Sequence, residues 1–530
     1  MTILPFLAIA FGAGAASLLT RENGRLSAWI GVLGLAGAAV AAAAMSGEGT
    51  LAVGGGELVG STYLRLFTVL GSVVGLLLAL IGMATLSHRH APGVMLAGIG
   101  AAGLALAVSD PRTAVVAATA GGLVGIVVTV VEPATGRAVV VAMRELRALA
   151  VAGVLAILAV AWIGRPLVEL AAEPAVFGLA YLGFAVAVAI RFGAIPFHFW
   201  AARLADAAPE VTLPMLMAWS PAAFAVVALA WADSSVAPMF LPNSLPLTAE
   251  RAIVVAIGAV SVLLGSLAAL IQDDLEHIVG YTIIADAGVA ILGLAALDPV
   301  AWEPARAWIL IFVTVRSAFA AWAVAVRGAF GTRRIAQLQG WARRAPLLAV
   351  ALALVAAGSI GWPGLVAWEA RAKLIELTLS GPIVLIVMIG ALVPLAIYVR
   401  LAVVGVARPS GSVQAGSDEL PRWPEPLPSR PMVGRSDIER AFEQGSHLLA
   451  AILDVIWTVP AALRLNRTLI AGILVVALSA LGVMVASGGL GVVDAASAAP
   501  GEVSGPSGSG QPGLESEPPG PSFQPVPTPP

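Results

Sequence analysis

The chain has 530 residues, 59% of them hydrophobic and only 11% charged, a composition far from that of soluble globular proteins and indicative of an integral membrane protein. A net charge of −2 argues against a nucleic-acid partner. The lack of cysteine excludes disulfides, cysteine-ligated zinc and iron–sulfur clusters held by this chain, and five scattered histidines are thin material for a metal site.

Apolar stretches long enough to cross a bilayer, about 17 to 25 residues each, recur along the chain. Four of them, near 3–19, 26–45, 64–86 and 92–108, make an N-terminal unit over residues 1–110. The first has its positive charges after it rather than before, so it reads as a span and not as a cleavable signal. Nine more follow near 113–131, 146–163, 175–197, 211–231, 252–271, 278–297, 305–326, 346–366 and 382–405, a core over residues 111–405. Residues 406–467 read as a Pro/Ser-rich cytoplasmic loop and then "IERAFEQGSHLLAAILDVIWTVPAALRL", whose pattern suits an amphipathic helix on the membrane surface. A last span is expected at 468–486, and residues 495–530 form a Pro/Gly/Ser tail that cannot bury a core and is expected to be disordered. The fold class is therefore an all-α integral membrane protein of about 14 transmembrane helices. Arginines crowd the loops after odd-numbered spans, as in "GTRRIAQLQGWARRAP", so the positive-inside rule places both termini on the outer side of a cell (inner) membrane.

Charged residues inside a bilayer cost roughly 2.5 to 3.5 kcal/mol each on insertion scales and normally face the bundle interior or water. The clear cases are Arg191, Asp286 in "YTIIADAGVAIL" and Arg316 in "ILIFVTVRSAFAAW". A further cluster after the twelfth span holds Glu369, Arg371, Lys373 and Glu376. Glu369 and Lys373 are i, i+4 and Lys373 and Glu376 are i, i+3, so these three share one helical face. Such groups either relay protons or pair to hold helices together, Asp286 with Arg316 for example. Pro196 lies just after Arg191, and Pro363 and Gly364 just before Glu369. Proline breaks a helix, and a break at membrane depth is tolerated only where the freed backbone is buried in protein or lines a wet cavity. Two broken helices in the two halves of a chain are the pattern of a transporter built from inverted repeats. Of 29 basic residues only Lys373 is lysine, which GC-rich codon usage explains. The difference matters, because buried lysine can titrate near neutral pH while arginine stays protonated.

The motif "IRFGAIPFHFWAARLADAAPEVTLPML" resembles the seventh-span pattern of the antiporter-like membrane subunits of respiratory complex I and of Mrp cation/proton antiporters. "ALIQDDLEHIVGYTIIADAGVAILGL", "VTVRSAFAAW" and "SIGWPGLVAWEARAKL" resemble later segments of the same family, in family order. The resemblance implies fourteen helices in two inverted five-helix repeats, with helices 7 and 12 broken. It puts Arg191 and Arg316 at central lysine positions and Arg371 at the lysine after the second break. Glu276 stands at another lysine, Asp286 near a Ser/His region and Met217 where some members have a histidine. His198, Glu276 and His277 are expected at a mouth or in loops. The fifth span, "TAVVAATAGGLVGIVVTVV", lacks the family's glutamate, having no acid before Glu132.

On this resemblance the chain is a proton-translocating subunit of an NADH:quinone oxidoreductase-type complex, its path running through Arg191, Asp286, Arg316, Glu369, Arg371 and Lys373. No catalytic, cofactor-binding or metal residue is expected, and quinone and NADH belong at partner subunits. The expected partners are other membrane-arm subunits, the lipid bilayer and protons or small cations. An Mrp-type cation/proton antiporter, a hydrogenase-associated subunit and a non-conducting scaffold that kept the fold stay open as alternatives.

Overall fold

A computed structural model describes residues 2–47, 49–53, 56–85, 91–131, 138–163, 174–236, 247–407 and 467–498. The surface helix expected within 406–467 and the tail expected from 495 fall, save their first or last few residues, outside them. Each apolar stretch read from the sequence is helical: α1 (Leu4–Leu19), α2 (Gly24–Ala43), α3 (Thr62–Thr85), α4 (Ala91–Ala107), α5 (Pro111–Val131), α6 (Ala138–Ile163) and α7a (Pro174–Phe192) come first. After a break come α7b (Ala201–Ala207), α8 (Ser220–Trp231), α9 (Thr248–Ile271), α10 (Leu275–Ala296), α11 (Pro299–Phe330) and α12a (Pro346–Ile360). After a second break come α12b (Val366–Thr378), α13 (Pro382–Val406) and α14 (Arg467–Ala486). Among the described residues, ten helical segments are long and apolar enough to cross a membrane. The small exception to the helical plan is a hairpin between α2 and α3, in which Thr50–Val53 pairs antiparallel with Gly56–Val59.

Burial orders the bundle. Helices α10 and α11 are covered nearly end to end, whereas α13 leaves Ile386, Ile389 and Val403 exposed to lipid or neighbours. Two helices made to sit at the centre of a protein in a membrane can carry charge, and these two do.

Both expected breaks are present, and each follows a glycine with positive φ, +62° at Gly193 and +60° at Gly361, a conformation that costs other residues. Ending a helix frees its last carbonyls, which need new donors. At the first break the indole of Trp200 donates to the carbonyl oxygen of Ile190 at 2.9 Å, and the Ile195 amide donates to Ser261 Oγ on α9 at 3.0 Å. At the second, the Arg371 guanidinium donates to the carbonyl of Ile360. One clasp is neutral and the other is charged.

The eighth span has its own irregularity. Pro221 cannot donate to the carbonyl four residues back, and the preceding turn, Met215–Trp219, is π-helical, with the Ser220 amide donating to the oxygen of Met215. Such wide turns re-aim side chains and are frequent at functional sites. Here the residues re-aimed are Trp219 and Ser220.

Candidate functional site

The second half of the bundle holds a buried ion pair. Asp286 projects from α10 and Arg316, fully buried, from α11, with Arg316 Nε 2.5 Å from Asp286 Oδ2. The guanidinium also donates to Tyr398 Oη on α13 at 2.8 Å, while its Nη2 has no hydrogen-bond partner. The Trp308 indole donates to the backbone oxygen of Asp286 at 3.0 Å and fixes that turn. Arg371 lies within electrostatic reach of both charges, its guanidinium 5.7 Å from the Trp308 ring centre and 5.5 Å from that of Trp368. One carboxylate therefore serves two guanidiniums. The pairing read as an alternative in the sequence is formed, and it leaves one positive charge over.

The first half is centred on Arg191 at the end of α7a. It is buried, donates to Ser220 Oγ at 2.8 Å and lies 5.5 Å from the Phe224 ring centre; its Nε is unpartnered. The acid missing from α5 is supplied by α6. Glu145, buried to 3% exposure, interacts electrostatically with Arg191, and its Oε2 has no hydrogen-bond partner. Glu145 is hidden in the sequence because "MRELRAL" reads as the charged edge of a span starting at 146, whereas α6 starts a good two turns earlier, at Ala138.

The two centres are joined. Trp219 donates its indole N–H to Ser317 Oγ at 3.0 Å, and these residues are the chain neighbours of Ser220, which holds Arg191, and of Arg316. The π-helical turn makes this connection, since it aims Trp219 and Ser220 to different sides.

Glu369, Lys373 and Glu376 do share a face of α12b, but that face is exposed. Of the cluster only Arg371 turns inward to the Asp286–Arg316 pair. His198 lies in the first break, half-buried, with Nδ1 unpartnered.

Glu276 and His277 stand at the start of α10 amid charges from three connections that follow odd-numbered spans. Glu276 accepts from Arg327 at 2.9 Å and from Arg333 at 2.8 Å, and Arg327 also pairs with Glu210. His277 lies 3.6 Å from Asp206 and 3.4 Å from Asp274. A small cavity, with room for about one water, is lined by Glu210, Glu276, Arg327 and Arg333. A second of similar size lies between α7b and α10 beside Met217, His277 and Tyr281.

Burial pushes the Asp274 carboxyl up, but the His277 imidazole, the Arg333 guanidinium and the Glu276 amide outweigh it and hold the group below its ordinary value. Burial lowers Arg333, and Glu276 and Asp274 more than offset this, holding it above the usual guanidinium value. A depressed carboxyl stabilises the fold above its unfolded pKa and loses that contribution as pH falls through its folded value. Asp274→Asn, which keeps the N-cap but not the charge, is therefore expected to flatten the loss of thermal stability between about pH 5 and pH 3. Unfolding midpoints of the purified protein across that range measure this; parallel pH curves for the two proteins would contradict it.

The sequence and the fold have counterparts among known proteins. Residues 149–395 match the family model described as NADH:quinone oxidoreductase/Mrp antiporter, transmembrane. The NADH-quinone oxidoreductase subunit N of Halorhodospira halophila is 29% identical over 251 residues, 46% of this chain and 49% of that protein, so the chain spans about half the length of this curated relative. The fold is similar to a chain of the membrane-bound sulfane sulfur reductase, an archaeal respiratory membrane complex, at TM-score 0.63 and 17% identity over 90% of this chain and 99% of that one. It is also similar to a chain of the Mrp complex from Dietzia, at TM-score 0.59 and 17% identity over 94% and 98%.

Proposed function

We propose that this chain, whose residues 149–395 match the NADH:quinone oxidoreductase/Mrp antiporter transmembrane model, is a proton-translocating subunit of a complex I-type or related respiratory membrane complex. Electrons, NADH and quinone belong to partner subunits, and this chain moves protons across a cell membrane whose inner side carries its basic loops. The observation that carries the reading is the Trp219–Ser317 bond, which joins two buried ionisable centres, each next to a broken helix.

Arginine does not give up its proton in proteins, so Arg191, Arg316 and Arg371 supply fixed positive potential. The carriers are carboxylates. Protons reach the interior from the basic-loop face through the cavity beside His277 and Tyr281, which opens at α7b next to the first break. Protonating Asp286 removes half of a buried pair, and Arg316 is then held by Tyr398 alone. Because Ser317 follows Arg316 and bonds Trp219, a shift at one centre is felt at the other.

The non-conducting scaffold reading rested on the missing fifth-span acid and on arginines that do not titrate; Glu145 supports the conducting reading on the first count, with the arginines acting as fixed charge. The test is the purified complex in liposomes with an internal pH dye. Electron transfer through the complex is expected to change the internal pH until an uncoupler is added, and Trp219→Phe is expected to reduce that change while electron transfer continues. Electron transfer without any pH change in the wild-type complex would overturn the reading.

A further inference from the structure

Helix α5 carries a notch where a conducting helix would be expected to carry a polar side chain. A methyl group at Gly122 would overlap the Arg191 guanidinium, and a Cβ at Gly125 would stand 3.4 Å from Glu145 Oε1. The two glycines lie three residues apart, hence nearly above one another on one face of α5. The arginine of α7a and the carboxylate of α6 thus fill two adjacent spaces that α5 leaves empty. Glu145 is the one charged residue of its turn that points inward, for Arg144 and Arg147 on either side are exposed. The other side chain against Gly125 is apolar, Leu216 of the π-helical turn, whose Cδ2 would meet a Cβ there at 2.8 Å.

A carboxylate buried with an oxygen unpartnered carries a desolvation cost that a purely structural residue would not retain. That cost falls when the group takes a proton, and the fixed charge of Arg191 nearby keeps the ionised form accessible. A group held between those two states is suited to picking up and releasing protons. We propose that Glu145 is the proton-carrying carboxylate of the first half of this subunit, delivered from α6 through the glycine notch of α5, with Arg191 as its fixed counter-charge. The step forms one O–H bond on the Glu145 carboxylate as an O–H bond of a hydronium ion on the basic-loop side breaks, leaving water; the carboxyl O–H bond then breaks as the proton passes to a water toward the centre of the bundle, making hydronium there. Arg191 keeps all its protons throughout.

This inference rests on the proton-translocating reading above, and its test separates the two. In the reconstituted complex, Glu145→Gln is expected to lower proton flux through this subunit on the order of 100-fold while electron transfer continues. Gly125→Asp combined with Glu145→Ala returns a carboxylate to the same space from the neighbouring helix, since the flexible end of Leu216 can turn aside, and is expected to restore flux. Infrared difference spectra between acidic and alkaline pH report on Glu145 whether or not the subunit pumps: a protonated-carboxyl band present in the wild type is expected to vanish in Glu145→Gln. Undiminished flux in Glu145→Gln, an unchanged infrared band, or an assembled double variant that stays inactive would each overturn the assignment. A wild-type complex that moves no protons would instead sink the functional reading, leaving the infrared band to decide on Glu145.

Discussion

Asp286→Asn is expected to stop proton flux and to lower the stability of the protein by about 3 to 5 kcal/mol, the cost of leaving a buried charge without its partner. Arg316 is fully buried, and Asp286 is its one acidic partner among the described residues. Arg371 draws on the same carboxylate, so the substitution leaves two guanidiniums facing each other. Removing both members of the pair has a different consequence. Asp286→Leu with Arg316→Leu takes away the charges together, and replacement of a buried pair by apolar residues is often neutral for stability. The double variant should therefore melt close to the wild type yet remain inactive in flux. Melting temperatures of the purified complex and the proton-to-electron ratio in liposomes measure the two effects. A single variant that melts and pumps like the wild type would show that the pair is neither structural nor conducting.

Arg371→Met should loosen the second break and leave the first unchanged. It removes a charged hydrogen bond to the Ile360 carbonyl, worth about 1.5 to 3 kcal/mol, and the contacts with Trp308 and Trp368, worth about 0.5 to 2 kcal/mol. Arg371→Lys keeps the charge but loses the planar fork that lets one side chain cap a carbonyl and lie against two rings, so it should recover only part of the loss. Hydrogen exchange resolves the difference: faster exchange at residues 361–365, with residues 193–200 unaffected, is the expected pattern. Equal acceleration at both breaks would mean that Arg371 supports the bundle generally rather than clasping one break.

The helices and breaks were legible because hydrophobic length, proline and glycine are local signals. Each apolar run became a helix, and the motifs carrying Pro196 and Pro363 became breaks. The site was legible in its residue types more than in its directions. Glu369, Lys373 and Glu376 lie on one face as their spacing requires, but spacing does not say which face the bundle covers. Packing of Ala367, Ala370, Leu374 and Ile375 turned Arg371 inward and the other charges out. Glu145 was hidden for the opposite reason, since a span boundary placed by hydropathy cut it off from the helix that buries it. The grouping of Asp206, Asp274, His277 and Arg333 needs three separate connections to meet, which no local pattern encodes.

The two clasps differ in a way that bears on the driving force. Moving an elementary charge through the whole membrane potential involves about 2.3 kcal/mol per 100 mV. A rearrangement at the first break, held by the Trp200 indole, carries no clasp charge through that field. One that displaces Arg371 from the Ile360 carbonyl does. Voltage would therefore act directly on the clasp of the second half and not on that of the first, so the electrical and chemical parts of a proton gradient would load the two halves unequally.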